Sequence, residues 1–273
     1  MSADPGFEAV MAYDAAFVPR YAQRFGERLL AALTLPARAN VLDVACRTGY
    51  PAVTLLDLTP DGRVIAVDAD NRYLEIARAR AGSDLGKRVF FKHGNPTDLR
   101  FSDEVFTNVV GNLVDRVSAN RGAIFSEARR VLRPGGQVAV TLPLRGSFIE
   151  VVDLLREVAL RLDLARVTER VEQYVQSLPT AETFRAELET RGFEKVQVEA
   201  WEFTLPYANG SELFSDPLTQ HAALAEWRWC AEGAGDPEPV LAEVRRAVDL
   251  YFEGRRFELT VQAGCATATR DRG

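Results

Sequence analysis

Through the first half of the chain the apolar positions switch back and forth between two rhythms. Ala16, Phe17, Tyr21, Phe25, Leu29 and Leu30 fall at helical spacing with Arg and Glu between them, which predicts a helix over 12–33 that ends before Pro36. The short apolar run NVLDVA reads as a buried strand. A turn and a helix from Tyr50 to Leu58 follow, with Pro51 in the first turn, where its missing N–H leaves no bond unmade. Pro60-Asp61-Gly62 is a turn, RVIAVDA a second strand, and Asn71 to Ala81 a helix with Tyr73, Leu74 and Ala77 inward. After Gly82 come RVFFKH as a third strand and VFTNVVGNLV as a fourth. A helix over 118–132 turns Ile124, Ala128, Val131 and Leu132 to one face, and Pro134-Gly135-Gly136 leads into a fifth strand, QVAVTLP.

Regular alternation of strand and helix, with strands apolar throughout, predicts a doubly wound, mostly parallel α/β sheet covered on both faces. The second half changes rhythm. Residues 148–177 read as mostly helical, and 180–191 as a helix ending at Gly192. KVQVEAWEFTL is a long strand with alternation, and FELTVQAGCATAT a last one. Between them, 206–255 is a helical, loop-rich stretch carrying Phe214, Trp227, Trp229, Tyr251 and Phe252. The predicted organisation is one domain made of 1–205 and 256–273, with 206–255 as a helical insertion forming a substrate cover.

Composition narrows the function classes. The chain has 273 residues, 47% of them apolar, enough for one large core with an inserted cover. Acidic residues outnumber basic ones, 39 to 33, for a net charge of −6, which argues against a nucleic-acid partner held by a broad basic surface. The start, MSADPGFEAV, does not read as a leader, and no apolar run reaches the ~18 residues of a membrane helix. A cytoplasmic protein with no membrane partner is the expectation. Cys46, Cys230 and Cys265 give neither a disulfide framework nor a zinc pattern, and His93 and His221 are too few for a polyhistidine metal centre.

In an open parallel sheet, ligands bind beyond the carboxyl ends of the strands. The first strand ends in Asp43-Val44-Ala45-Cys46-Arg47-Thr48-Gly49, where small residues let a ligand approach the backbone. The second ends in Asp68, with Asp70 two residues on. A carboxylate there, about 20 residues past the loop, accepts hydrogen bonds from both hydroxyls of a ribose. Together these residues point to an adenosine-containing cofactor. Nicotinamide dinucleotides fit worse, because the loop lacks three spaced glycines.

The stretches VLDVACRTG, VIAVDAD, HGNPTDLRFSDEVFTNVV and EARRVLRPGGQVAVTLP, in this order and at this spacing, resemble the class I S-adenosylmethionine-dependent methyltransferases. LPTAETFRAELETRGFEKVQVE and FELTVQAG extend the likeness to about residues 10–205 and 255–268. The resemblance implies a Rossmann-like seven-stranded sheet with an antiparallel last strand, and S-adenosylmethionine as cofactor. Asp43 and the backbone of Ala45 to Gly49, Arg47 included, would line its methionine end. Asp68 would hold the ribose, Ala69 would lie against the adenine, and Asn95 would face the exocyclic amine. Asn112 and Leu113 would edge the methyl-transfer site, and Tyr13 would cover the cofactor.

Five positions depart from that family; alanine at 45 is harmless, and the other four stand out. Ala45 and Arg47 replace glycines, and arginine in a left-handed conformation costs about 1–2 kcal/mol. Its side chain would either fill the cofactor's place, point away, or pair with the cofactor's carboxylate. Asn95 and Thr107 replace aspartates, and Ala69 a larger apolar residue. Two bases are candidates, His221 in the insertion and Asp115 just past the fourth strand, although methyl transfer from a sulfonium needs mainly proximity and alignment. Cys46 reads as a packing residue, His93 as structural, and Trp227 and Trp229 as core of the cover. Two functions follow: a methyltransferase acting on a small molecule, or a catalytically inactive pseudo-methyltransferase that binds a protein partner as a regulatory module.

Overall fold

A computed structural model of the protein describes residues 5–114, 121–253 and 255–272. Its centre is a seven-stranded sheet in the order β3-β2-β1-β4-β5-β7-β6. The strands are β1 Asn40–Val44, β2 Arg63–Asp68, β3 Val89–His93, β4 Phe106–Gly111, β5 Leu132–Pro143, β6 Phe193–Tyr207 and β7 Phe257–Arg270. The β1–β2, β2–β3, β1–β4 and β4–β5 pairs are parallel, and the last strand is antiparallel, as the sequence predicts. Reversal of strand order between β1 and β4 opens the crevice in which such sheets bind ligands.

The chain forms two compact units. The first takes residues 1–142, 181–200 and 264–273, and the second 143–180 and 201–263. The second unit is thus larger than the 206–255 insertion expected from sequence: it adds the helices Ile149–Arg161 and Ala165–Ser177.

In the first unit every residue of β1 is buried. The N-terminal helical segment, residues 5–31, includes a wider π-helical stretch Tyr13–Ala22. Its rings form a ladder, Tyr13 to Phe17 at 4.8 Å, Phe17 to Tyr21 at 4.9 Å and Tyr21 to Phe25 at 5.1 Å. Burial of Phe17, Phe25 and Leu29 contributes about 1.5–3 kcal/mol each. The helix Asn71–Ala81 opens on Asp70, whose carboxylate accepts from the Arg72 N–H.

Two sequence expectations change here. The helix expected from Tyr50 is regular only over Leu55–Leu58, and residues 47–54 form successive turns. Pro51 has no N–H to give, and the Ala52 N–H is drawn toward Asp43. β5 begins at Leu132 rather than Gln137. Its register against β4 jumps between Phe106 and Asn108, which absorbs the Arg133–Gly136 turn as a bulge.

In the second unit Trp227 is fully buried, 5.9 Å from both Phe148 and Phe214. Two residues on, Trp229 lies on the other side of the helix Ala225–Ala231, is 38% exposed, and carries the Arg170 guanidinium 5.1 Å from its ring centre. The pairing of both tryptophans as core therefore holds for Trp227 alone. Among the described residues no helix is long and apolar enough to cross a membrane.

Candidate functional site

β1 and β2 run side by side, with Asp43 opposite Ala66, so both strands deliver a carboxylate to their carboxyl ends. Asp43 is fully buried, and neither of its oxygens has a hydrogen-bond partner among the described residues. Burial pushes its carboxyl well above the ordinary aspartate range, and the nearby Asp68 charge pushes it further. The Ala52 N–H offsets part of this without closing a hydrogen bond. A buried carboxyl so placed holds its proton until a cation or a group of strong donors arrives to stabilise its ionised form.

Asp68, 3% exposed, is already engaged. Its Oδ2 accepts from the Arg47 N–H at 2.9 Å and its Oδ1 from the Asp70 N–H at 3.0 Å. Each oxygen keeps a second lone pair, the capacity a ribose diol would use. Exposed Ala69 gives its carbonyl to His93 Nε2 at 2.9 Å. A carbonyl only accepts, so Nε2 carries the proton in this bond.

The loop between them is tightly held. Ala45 and Arg47 are left-handed, with φ of 62° and 48°, and Gly49 has φ 92°. A side chain on Gly49 would also lie 3.1 Å from Cβ and 3.2 Å from Cα of Ala77. The Cys46 N–H donates to the Val67 carbonyl at 3.1 Å, and Arg80 donates to the Thr48 carbonyl at 2.7 Å while pairing with Asp14 at 2.7 Å. Burial, with the Asp43 and Asp68 charges, pushes the Cys46 thiol well up, away from the thiolate form.

Arg47 turns its guanidinium over the Tyr73 ring, 5.2 Å from the centre. Tyr73 meets Tyr13 edge-on at 5.1 Å. Burial alone depresses the guanidinium, but Tyr13, Asp68 and Tyr73 outweigh it and hold it above its ordinary value. The structure thus brings Tyr13, Arg47 and Asp68 together. It adds Tyr73, which sequence reasoning took only as the inward face of a helix. Its spacing five residues after Asp68 was the available signal.

Other expected residues are differently employed. Oδ1 of Asn95 accepts from the Thr97 N–H and hydroxyl, both at 2.9 Å, which leaves the amide donor Nδ2 rather than an acceptor to face a base. Asn95 lines a cavity of about 340 Å³ together with Val67, Lys92, His93, Leu99 and Phe101. Asn112 is built into the frame: Nδ2 donates to the Ala22 carbonyl at 3.0 Å and Oδ1 accepts from Thr141 at 2.7 Å. Leu113, with φ 60°, donates its N–H to the same Thr141 hydroxyl at 2.9 Å. Thr107 does not belong to the site. It bonds Asn40 at the opposite ends of β1 and β4, so its departure says nothing about cofactor binding. His221 is half-buried in the π-helical stretch Gln220–Leu224 of the second unit. Asp115 lies outside the described residues.

Residues 41–136, which hold all of these strand ends, match the family described as "Methyltransferase domain". The chain is 41% identical over 102 residues to a demethylmenaquinone methyltransferase of Symbiobacterium thermophilum, covering 36% of this chain but only 40% of that relative. A demethylmenaquinone methyltransferase of Clavibacter sepedonicus is 30% identical over 172 residues, 59% of this chain and 68% of the relative. Among solved structures, phosphoethanolamine N-methyltransferase 2 of Haemonchus contortus in complex with S-adenosyl-L-methionine superposes with a TM-score of 0.57 at 16% identity, over 97% of this chain and 57% of that one. The match to the Clavibacter protein over more than two thirds of its length, on a sheet of this order, makes the chain a member of the class I S-adenosylmethionine-dependent methyltransferase family.

Proposed function

We propose that the protein binds S-adenosylmethionine at the ends of β1 and β2 and methylates a small molecule. The observation that carries this reading is the buried Asp43 carboxyl with both oxygens unpartnered, beside a loop in which Ala45, Arg47 and Gly49 take left-handed backbone. The cofactor has the groups this place lacks: an ammonium for Asp43 and a ribose diol for the spare lone pairs of Asp68. The backbone of Ala45 to Gly49 would flank its methionine end and Tyr13 would cover it, while Ala69 and the Nδ2 of Asn95 would meet the adenine. Leu113 would edge the transfer site. When bound, the cofactor supplies a methyl already activated by positive sulfur.

What the chain contributes is placement. The Asp68 and Arg80 bonds fix the loop, the Thr141 hydroxyl fixes the turn after β4, and the buried rings of Tyr13 and Phe17 exclude water. Holding two reactants in line is worth up to about 7–11 kcal/mol, so a strong catalytic group is not required. His221 and Asp115 are proposed for removal of a proton from the acceptor. The substrate class rests on the relatives' names, and residues 206–255 are the proposed source of its selectivity. Arg47 favours the alternative, an inactive module with a protein partner. Titrating S-adenosylmethionine into the purified protein by calorimetry decides: saturable binding with a stoichiometry near one supports the methyltransferase, and no binding supports the inactive module.

A further inference from the structure

Trp229 stays exposed on its helix and has no part in the proposed cofactor site. With Gln173, Tyr174, Ser177, Ala225 and Glu226 it lines a cavity of about 350 Å³, within the range of about 300–1,000 Å³ usual for small-molecule pockets. All six residues belong to the second unit, on the helices Ala165–Ser177 and Ala225–Ala231. Their spacing explains the convergence. Glu226 and Trp229 are three positions apart, as are Tyr174 and Ser177, so each pair shares one face of its helix. The two helices are tied at this place. Arg170 Nη1 donates to the Trp229 carbonyl at 2.7 Å, and the Cys230 thiol points to the Arg170 carbonyl at 3.7 Å. The Arg170 guanidinium also packs 5.1 Å from the Trp229 ring centre, which fixes the indole at the cavity wall.

The charges around the cavity are out of balance. Oε2 of Glu226 is shut off from water and has no hydrogen-bond partner among the described residues. The neighbouring cations are committed elsewhere: Arg170 pairs with Glu232 at 3.6 Å and Arg228 with Glu238 at 2.6 Å. A carboxylate so placed gains from an incoming cation that also brings N–H donors. The indole beside it attracts positive charge to its face, and the rings of Trp229 and Tyr174 offer an apolar wall. We propose that this cavity is a ligand site for a small organic ammonium, its N–H groups on Glu226 and its apolar body against Trp229 and Tyr174. A neutral molecule of the same shape satisfies the rings and leaves Glu226 as it was, and an anion meets the Glu226 charge at close range. The site calls for no adenosine and does not rest on the cofactor reading.

The probe is phenethylammonium, with phenethyl alcohol as its uncharged counterpart. The chain has three tryptophans, Trp201, Trp227 and Trp229, so the indole N–H signals of isotope-labelled protein are assigned by single Trp→Phe substitutions. Both probes are titrated near neutral pH into the native protein, Glu226→Gln and Asp43→Asn, with melting curves to confirm folding. The expected result is a saturable shift of the Trp229 signal with the ammonium, at an affinity about tenfold or more above that of the alcohol. Glu226→Gln removes that advantage and leaves the alcohol unchanged, while Asp43→Asn affects neither. Trp229→Leu, read from the probe's own line broadening, weakens the ammonium by about two- to thirtyfold. Equal affinity for the two probes in the native protein overturns the proposal without recourse to any variant, as does the absence of a saturable shift. If Asp43→Asn abolishes the shift and Glu226→Gln leaves it, the ammonium is held at the end of β1 and the proposal falls.

Discussion

The backbone N–H of Arg47 donates to Oδ2 of Asp68 at 2.9 Å, so the loop after β1 is held by the side chain that ends β2. One carboxylate thus supports the loop and, in the proposed cofactor site, would also offer lone pairs to a ligand. Because β1 and β2 are parallel neighbours in register, loop and carboxylate reach the same end of the sheet without further adjustment.

Asp68→Ala is expected to weaken S-adenosylhomocysteine binding by about ten- to hundredfold, through loss of a charged acceptor worth about 1.5–3 kcal/mol. It also leaves the Arg47 and Asp70 N–H groups without their acceptor, so the ligand-free protein should lose about 1–3 kcal/mol. Calorimetry and urea denaturation read the two effects separately. Unchanged affinity would reject the ribose role while leaving the structural one standing.

The turn after β4 depends on Thr141. Its hydroxyl donates to Asn112 and accepts from the Leu113 N–H, and all of these groups are buried. Thr141→Val keeps the shape and removes both bonds. The expected loss is about 1–3 kcal/mol. Thermal melting should show it at about 2–4 °C per kcal/mol for a chain of this size. A melting temperature equal to that of the native protein would mean that the turn is held by other contacts.

The strands were legible in the sequence because a parallel sheet covered on both faces leaves continuous apolar runs such as NVLDV and RVIAVD. The carboxylates at their ends were legible for the opposite reason, as polar residues closing apolar runs. What stayed hidden was set by partners distant in the chain. Asn112 looked like a ligand-facing residue, but its amide is taken by Ala22, 90 positions away, and by Thr141. Thr107 looked like a departure at the site, but register places it beside Asn40 at the other edge. The stacking of Arg47 on Tyr73 joins a loop to a helix, and no local pattern announces it.

Gly49 is required twice, by conformation and by space. At φ 92° an alanine carries the penalty of the left-handed region, about 1–2 kcal/mol. Its Cβ would also press on Ala77 at 3.1 Å, and overpacking of this kind costs about 1–3 kcal/mol. Gly49→Ala should therefore destabilise by about 2–5 kcal/mol in urea titration. Adding Ala77→Gly should recover only the share due to the Ala77 Cβ, because the 3.2 Å contact with its Cα and the conformational cost both remain and glycine inside the helix costs about 1 kcal/mol of its own. Full recovery in the double variant would show that backbone conformation costs nothing here.

Asp43 sets ligand binding against stability. Its folded carboxyl holds its proton to higher pH than in the unfolded chain, because burial and the Asp68 charge oppose ionisation. As pH rises above about 3.8, the unfolded chain ionises first, so this residue takes stability away until the folded group ionises as well. Asp43→Asn removes the titration. The ligand-free variant should be more stable than the native protein at pH 7–8, by about 1–3 kcal/mol, and its stability should fall less between acid and neutral pH. Binding should move in the other direction. The ionised carboxylate is the form that holds an ammonium, so affinity for S-adenosylhomocysteine should rise with pH through the folded pKa of Asp43 in the native protein. In Asp43→Asn it should be weak and lack that dependence. Melting curves across pH and calorimetry at the same pH values give both trends. A variant that is less stable and binds as tightly as the native protein would show that Asp43 is a structural group with no part in holding the ligand.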